Sequence, residues 1–546
     1  MSRSKFIFLF IILLSSILRF TWLDHFPPSL YTDEVNQGYN AYSILLTGRD
    51  EHGVLLPVSL RSFGDWKPPL QTYLIIPFIY IFGLNETAVR LPSAILGVGT
   101  VILTYFLVKE LLKNNLQVNK IALLTSFLLT ISPWHILQSR AAMLVVVGLF
   151  FLELGILYFI KGVIKSRLMI LSFLSFSLSI YSYYGLRVIT PLTILILLIT
   201  YKRQLTNLLK PLFLAFLISL ILLLPLIFGF LKEKDVVFGR ARTVSVFYER
   251  GVKLKQWELI TQDGSFSSTV ITRFFHNNLY MYGRNILQRF LSHFDGRYLF
   301  FNGDQAWPFQ IPNMGILYLI ESITFPAGLY FLYKAKFEQR NFIMLWFIIA
   351  IIPAAFTFMT PSSNRTFTMI VPLYILVGIG FFSILKIVKN ILTISAILLY
   401  GLSFYYFLHQ YIVLLPRYHA DWWSYGWKET VEYTRNIENK YDNIVIPDIN
   451  GMPYIYYLFY NQYDPGRFQK EAVRTYVADR FGFEHVEGFG KYLFPNDFDW
   501  DFTKKYNLQS NTIYVIPNQQ AAVDTDYTKA IYYPDGKIAF KIFAYD

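Results

Sequence analysis

Cysteine is missing from all 546 residues, so the chain has no disulfide framework, no thiolate metal site and no thiol nucleophile, and its stability must come from packing. The glycine motifs that cradle nucleotide phosphates or dinucleotides are missing too, so activation energy is not expected to arrive as ATP. The eight histidines (His25, His52, His135, His276, His293, His409, His419 and His485) are scattered, and none has a metal-ligand spacing such as HExxH. No cofactor is therefore expected, and a divalent cation stays open only at GRDEHG, where Asp50, Glu51 and His52 either hold one or sit in a solvated turn. Charged residues make up only 16 % of the chain, and its net charge of +13 comes without a basic stripe or a reader motif. Nucleic acid is not an expected partner.

Apolar residues are abundant: 54 % are hydrophobic and 18 % aromatic, with 51 Phe and 40 Tyr. They fall in repeated runs, many close to the roughly 20 residues needed to cross a bilayer, so a polytopic membrane protein is expected. The runs lie at 6–23, 87–112, 120–138, 141–160, 168–185, 187–201, 210–231, 313–333, 342–360, 366–386 and 391–413. That makes about eleven transmembrane helices. The first run follows a short basic start without a small-residue cleavage site, so it reads as a retained span rather than a signal peptide.

Alternate connections carry Lys109, Lys113 and Lys120; Lys161, Lys165 and Arg167; Lys202, Arg203 and Lys210; Lys334, Lys336 and Arg340; Lys386 and Lys389. The positive-inside rule puts these connections and the N-terminus in the cytoplasm. The first loop (24–86), a large loop (232–312) and everything after 413 then lie outside the cell membrane. Residues 1–413 read as a membrane domain. Residues 414–546 read as a small α/β domain, with WKETVEYTRNIENKY as a helix and NIVIPD, NTIYVIP and GKIAFKIFAYD as strands. Trp422, Trp423 and Trp427 at its entrance are candidate interfacial anchors, and the aromatic run GMPYIYYLFYNQYDP is either core or a ligand surface.

The chemistry concentrates in YTDEVNQGYNAYSILLTGRDEHG, Tyr31 to Gly53, where Asp33 and Glu34 stand at an expected membrane edge. Thr32 caps a helix whose first turn carries both acids, and Val35, Tyr39, Tyr42 and Leu46 share one face, as in a helix lying in the interface. Lys67 precedes Pro68 and Pro69, which stiffen the backbone and aim its ammonium. Arg140, Arg187 and Arg365 fall at external span ends, and Arg240 and Arg242 head the large loop. Each suits a phosphate; each also suits helix-end carbonyls or anionic headgroups.

The series TDEVNQGYNAYSILLTGRDEHG, FGDWKPPLQTYLIIP, FGLNETAVRLPSAILG, SPWHILQSRAA, YSYYGLRVITPL and PSSNRTFTMIVPL, in that order, resembles bacterial members of the dolichyl-phosphate-mannose protein mannosyltransferase superfamily. That superfamily includes the lipid A aminoarabinose transferases and has the C-type glycosyltransferase (GT-C) fold. The resemblance implies an external active site, a polyprenyl-phosphate-linked sugar as donor, and inverting transfer to a hydroxyl of a protein, lipid or glycan acceptor. It makes Asp33 the general base with Glu34 beside it, and Lys67 a contact of the lipid phosphate, with the five arginines as further candidates for that phosphate. One departure stands out: many relatives carry an acid shortly after SRAA, where this chain has Leu144. Glu153, Asp235, Asp263 and Asp295 are the alternative carboxylates. Rival readings are an oligosaccharyltransferase or glycan ligase, and a lipid-linked-sugar flippase, whose charged groups would sit at mid-membrane.

Overall fold

The computed structural model describes residues 3–264, 269–334, 339–388, 390–448, 452–477, 479, 482–520 and 526–545; Lys336, Lys389 and Gly451 fall outside these. The chain is mostly helical, and every expected span contains a helix. Among the described residues, five helices are long and apolar enough to cross a membrane by length and composition: Glu86–Leu111, Leu144–Gly162, Lys202–Lys232, Phe367–Ile387 and Asn390–Tyr418. The third expected span is broken into Val118–Thr130 and Pro133–Arg140, bent by 58°. Pro133 lacks a backbone donor and disfavours helical geometry in the residue before it, which explains the break. Leu186–Thr200 is as long as its apolar run, whereas Leu168–Ile180 and Arg340–Ala355 are shorter than theirs, the last carrying Pro353.

By contact the chain forms two units, one of Met1–Arg19, Leu96–Ser139 and Leu144–Leu408, the other of Phe20–Ile95, Arg140–Met143 and His409–Asp546. The first is a helical bundle in which Glu321–Lys334 packs on Ile370–Ile387 and Leu144–Gly162 on Leu168–Ile180. Its least buried members, Lys202–Lys232 and Asn390–Tyr418, present apolar side chains outward, as lipid-facing helices do.

In the second unit the first loop and the tail share one core. The acidic helix Thr32–Thr47 contributes Val35, Tyr39 and Ala41 to a cluster that also holds Ile75, Val89, Tyr454, Ile455, Phe459 and Phe468. An interfacial helix with one wet face was expected; instead nearly the whole first three turns are buried, and only Leu46 of the four predicted face residues is well exposed. Gly38 permits this packing. A Cβ there would stand 2.6 Å from both Phe459 and Val89. Gly38→Leu is expected to destabilise this unit by about 1–3 kcal/mol through overpacking, measured as a drop in unfolding temperature, with Gly38→Ala smaller.

The loop continues into a hairpin, β1 (Leu60–Ser62) and β2 (Asp65–Lys67), with Leu60 opposite Lys67, and then the helix Leu70–Phe82. The tail adds β3 (Asn443–Val445), β4 (Val473–Thr475), β5 (His485–Phe489), β6 (Tyr492–Leu493), β7 (Thr512–Pro517), β8 (Lys529–Tyr532) and β9 (Ile538–Tyr545). They form one sheet in the order β4-β5-β6-β3-β7-β9-β8, parallel only where β3 meets β6 and β7. Alternation along the strands feeds two cores. Ile444, Ile513 and Val515 face the helix Pro453–Tyr460, while Val445, Tyr514 and Ile516 pack on Trp500. The aromatic run is therefore core. Trp423 is fully buried and Trp427 stacks on Tyr456, so of the three expected anchors only Trp422 is exposed.

Candidate active site

The acidic helix begins after extended Tyr31, whose N–H donates to Glu34 Oε2 at 3.2 Å. Thr32, expected as the cap, is already helical, and its hydroxyl pairs with that of Tyr456 at 2.8 Å. Asp33 keeps its side chain about half exposed and meets the Lys67 ammonium at 2.5 Å. Lys67 comes from the end of β2, is almost fully buried, and lies 5.0 Å from the Phe63 ring. The prolines behind it leave the side chain as the mobile part of this cation. The residue expected as the base and the residue expected at the lipid phosphate are thus an ion pair here.

Glu34 is arranged differently. It is fully buried, and both oxygens are engaged: Arg90 Nε donates to Oε1 at 3.0 Å and Nη2 to Oε2 at 3.1 Å, while the Ala142 N–H donates to Oε1 at 2.8 Å. Arg90 in turn donates to the carbonyls of Leu23 (3.0 Å), Pro27 (2.9 Å) and Ser29. Such a bidentate, fully hydrogen-bonded pair fixes geometry more than it exchanges protons. Glu34 was expected beside Asp33 in the chemistry; its bonds make it the post that holds the start of the acidic helix. Arg90 was missed. Its signal was an arginine within an apolar run, which calls for a named partner.

Arg140, at the end of Pro133–Arg140, is buried and donates to the carbonyls of Thr21 (2.8 Å), Trp22 (3.0 Å) and Phe26 (2.9 Å) and to the Tyr411 hydroxyl (3.1 Å). Of its two expected roles, these bonds are those of an arginine satisfying helix-end carbonyls. The other four arginines lie in the first unit. Arg187 donates to the carbonyls of Val236 (3.0 Å) and Val237 (3.1 Å), and Arg242 pairs with Asp235 at 2.6 Å. Arg365 donates to Thr357 Oγ1 at 2.7 Å and the Phe358 carbonyl at 2.5 Å. Its burial, with Arg240 and Arg289 nearby, lowers the guanidinium pKa, opposed by Tyr183 and Asp304. Arg240 itself is exposed. This unit therefore holds a concentration of positive charge that an anion would relieve.

The alternative carboxylates are all occupied. Glu153 accepts from Thr104 (2.8 Å), Asp235 pairs with Arg242, Asp263 with His276 (2.7 Å) and Asp295 with Arg297 (3.3 Å). Asp304, missed in the sequence, is buried and accepts from the Ser363 N–H and hydroxyl at 2.5 and 2.8 Å. Its pKa is raised, chiefly by burial.

GRDEHG is neither a solvated turn nor a cation cage. Glu51 is fully buried and accepts from Asn36 (2.8 Å), Asn40 (3.0 Å) and the Tyr454 hydroxyl (3.0 Å), tying loop, helix and tail together. Among the described residues no group of three His, Asp or Glu side chains could hold a metal ion. Burial pushes the Asp50 carboxyl from its usual 3.8 up to about 6, although it accepts from the His52 and Val54 N–H groups. A carboxyl raised on folding costs stability as pH rises through this window, and the cost is complete above about 6. Asp50→Asn, which keeps the acceptor oxygen, is expected to flatten the pH dependence of thermal unfolding across that window.

The family model described as dolichyl-phosphate-mannose-protein mannosyltransferase matches residues 66–228, a stretch that contains Lys67, Arg90, Arg140 and Arg187. Over that stretch, under a third of its length, the chain is similar to that family. ArnT from Cupriavidus metallidurans, solved in the apo state and bound to undecaprenyl phosphate, is similar over 99 % of this chain and 98 % of its own, at 12 % identity and a TM-score of 0.56. The oligosaccharyltransferase of Archaeoglobus fulgidus, tethered with an acceptor peptide, is similar over 98 % of this chain and 74 % of its own, at 13 % identity and a TM-score of 0.52. At these identities the likeness is one of fold, and that fold is GT-C. No curated protein sequence matches this chain.

Proposed function

We propose that the protein is an integral membrane glycosyltransferase that moves a sugar from a polyprenyl-phosphate donor to an acceptor hydroxyl outside the cell membrane, with inversion. The acceptor oxygen attacks the anomeric carbon as its proton passes to Asp33. The bond from that carbon to the phosphate oxygen breaks, the electron pair stays on the phosphate, and the Lys67 ammonium stabilises the charge. The observation that carries this reading is the Asp33–Lys67 pair: a base and an anion-binding cation held in contact at a half-exposed position. A single sugar between them would separate proton acceptor from leaving group.

Glu34 is proposed as a positioning residue, fixing the first turn through Arg90. Arg187, Arg240, Arg242 and Arg365 are proposed phosphate contacts, with Arg240 favoured by its exposure and cationic neighbourhood. Arg140 is proposed as structural. About eleven spans with the N-terminus in the cytoplasm agree with the basic residues of alternate loops.

The test is transfer by purified protein given labelled polyprenyl-phosphate sugars and protein, lipid or glycan acceptors. Lys67→Ala is expected to weaken binding of the bare polyprenyl phosphate by about 10- to 100-fold, the loss of one charge-assisted hydrogen bond, and to reduce transfer with it. Undiminished binding would remove Lys67 from the phosphate site. Sugar-lipid translocation without transfer would instead identify a flippase, and transfer only from diphosphate-linked glycans an oligosaccharyltransferase.

A further inference from the structure

The tail domain carries a second cleft, of about 570 Å³, that shares no residue with the carboxylate site. Its place follows from the sheet topology. The chain leaves β3 through Pro453–Tyr460 and Pro465–Glu471 and returns as β4, β5 and β6 on one side; it then crosses by the helix Trp500–Tyr506 to β7 on the other. Helices therefore cover opposite faces on either side of β3, and the cleft opens where Val445 and Leu493 end the parallel strands β3 and β6. Open sheets of this kind bind ligands at the carboxyl ends of strands, where the strand order reverses. Trp500–Tyr506 packs over Val445 and Tyr514 but leaves Leu493 39 % exposed, so the floor is only half roofed.

The lining decides the class of ligand. Leu493 and Phe498 supply an apolar and aromatic floor and wall above buried Tyr514, and Asn507 and Gln509 supply amides. Glu487, with Thr475 donating to it, supplies a carboxylate. Among the described residues no lysine or arginine lines the cleft, in contrast to the basic groups elsewhere in the protein. A phosphate or an anionic headgroup would find no counter-charge here, whereas a sugar ring offers an apolar face to aromatics and hydroxyls to amides and carboxylate. We propose that this cleft is a binding site for a neutral oligosaccharide, distinct from the site of transfer.

The proposal stands apart from the transfer reading and is tested by binding alone. Full-length protein in lipid nanodiscs is titrated with chitotriose, mannotriose and galactotriose, and with inorganic phosphate as the anionic control. Saturable binding of at least one triose is expected, with an affinity that inorganic phosphate does not change. Asn507→Ala and Glu487→Gln, both at exposed positions, are expected to weaken it about three- to tenfold each, with unchanged unfolding temperature. Leu493→Glu, which puts a charge on the floor, is expected to abolish it. An Asp33→Asn protein is expected to bind the triose as the parent does. No binding of any triose, binding that is indifferent to all three cleft substitutions, or binding lost with Asp33→Asn would overturn the proposal.

Discussion

Asp33→Asn is expected to lose transfer by about 10²- to 10⁴-fold, the usual contribution of a positioned general base, while binding polyprenyl phosphate more tightly than the parent protein. The second half of that result separates the ion pair from a simple catalytic list. The carboxylate of Asp33 occupies Lys67, so a phosphate that binds this ammonium must displace it. Removing the carboxylate's charge removes the competitor. Asp33 is about half exposed, which screens the pair and limits the gain to roughly two- to fivefold in affinity. Titration of undecaprenyl phosphate into both proteins measures it. Equal or weaker binding by Asp33→Asn would mean that phosphate and Asp33 do not share Lys67.

Breaking the buried fork should have the largest effect on stability. Glu34→Ala leaves Arg90 charged in a fully buried position, and Arg90→Ala leaves the carboxylate of Glu34 likewise uncompensated. Each is expected to cost about 3–5 kcal/mol, because the desolvated partner keeps its charge without its counter-ion. The double substitution Glu34→Ala/Arg90→Ala should cost less than the sum, since no orphaned charge remains. Thermal unfolding of the three variants in one lipid environment provides the comparison. Simple additivity would show that the pair is not coupled. Glu34→Gln is informative in another way: it keeps the shape and one acceptor, so recovery of transfer in any folded Glu34→Gln protein would separate positioning from proton transfer.

The spans were legible because long apolar runs have few other uses, and Thr32–Thr47 because Asp and Glu sit in a first turn ahead of periodic apolar residues. Lys67 drew attention through the two prolines behind it, but its pairing with Asp33 was not read. What escaped local reading were the pairings. Nothing near Glu34 announces that its partners are Arg90 and the Ala142 N–H, and nothing near Glu51 announces Tyr454. These contacts join residues tens to hundreds of positions apart, and no periodicity encodes them. The same holds for the tail sheet: β7 and β9 were readable as apolar alternation, whereas β6, two residues long, exists only through its neighbours β5 and β3. Pro133 and Pro353 were visible, yet the runs around them were read as uninterrupted spans.

The hydroxyl contact between Thr32 and Tyr456 has a consequence for the order in which the protein becomes competent. The carboxylate that would do the chemistry is synthesised early, but the aromatic residues that wall in its helix emerge only when the ribosome has nearly finished. Until the tail has folded over the first loop, that helix is left without its roof. A nascent chain that ends before Tyr456 would therefore hold Asp33 on a helix whose packing partners have yet to be made.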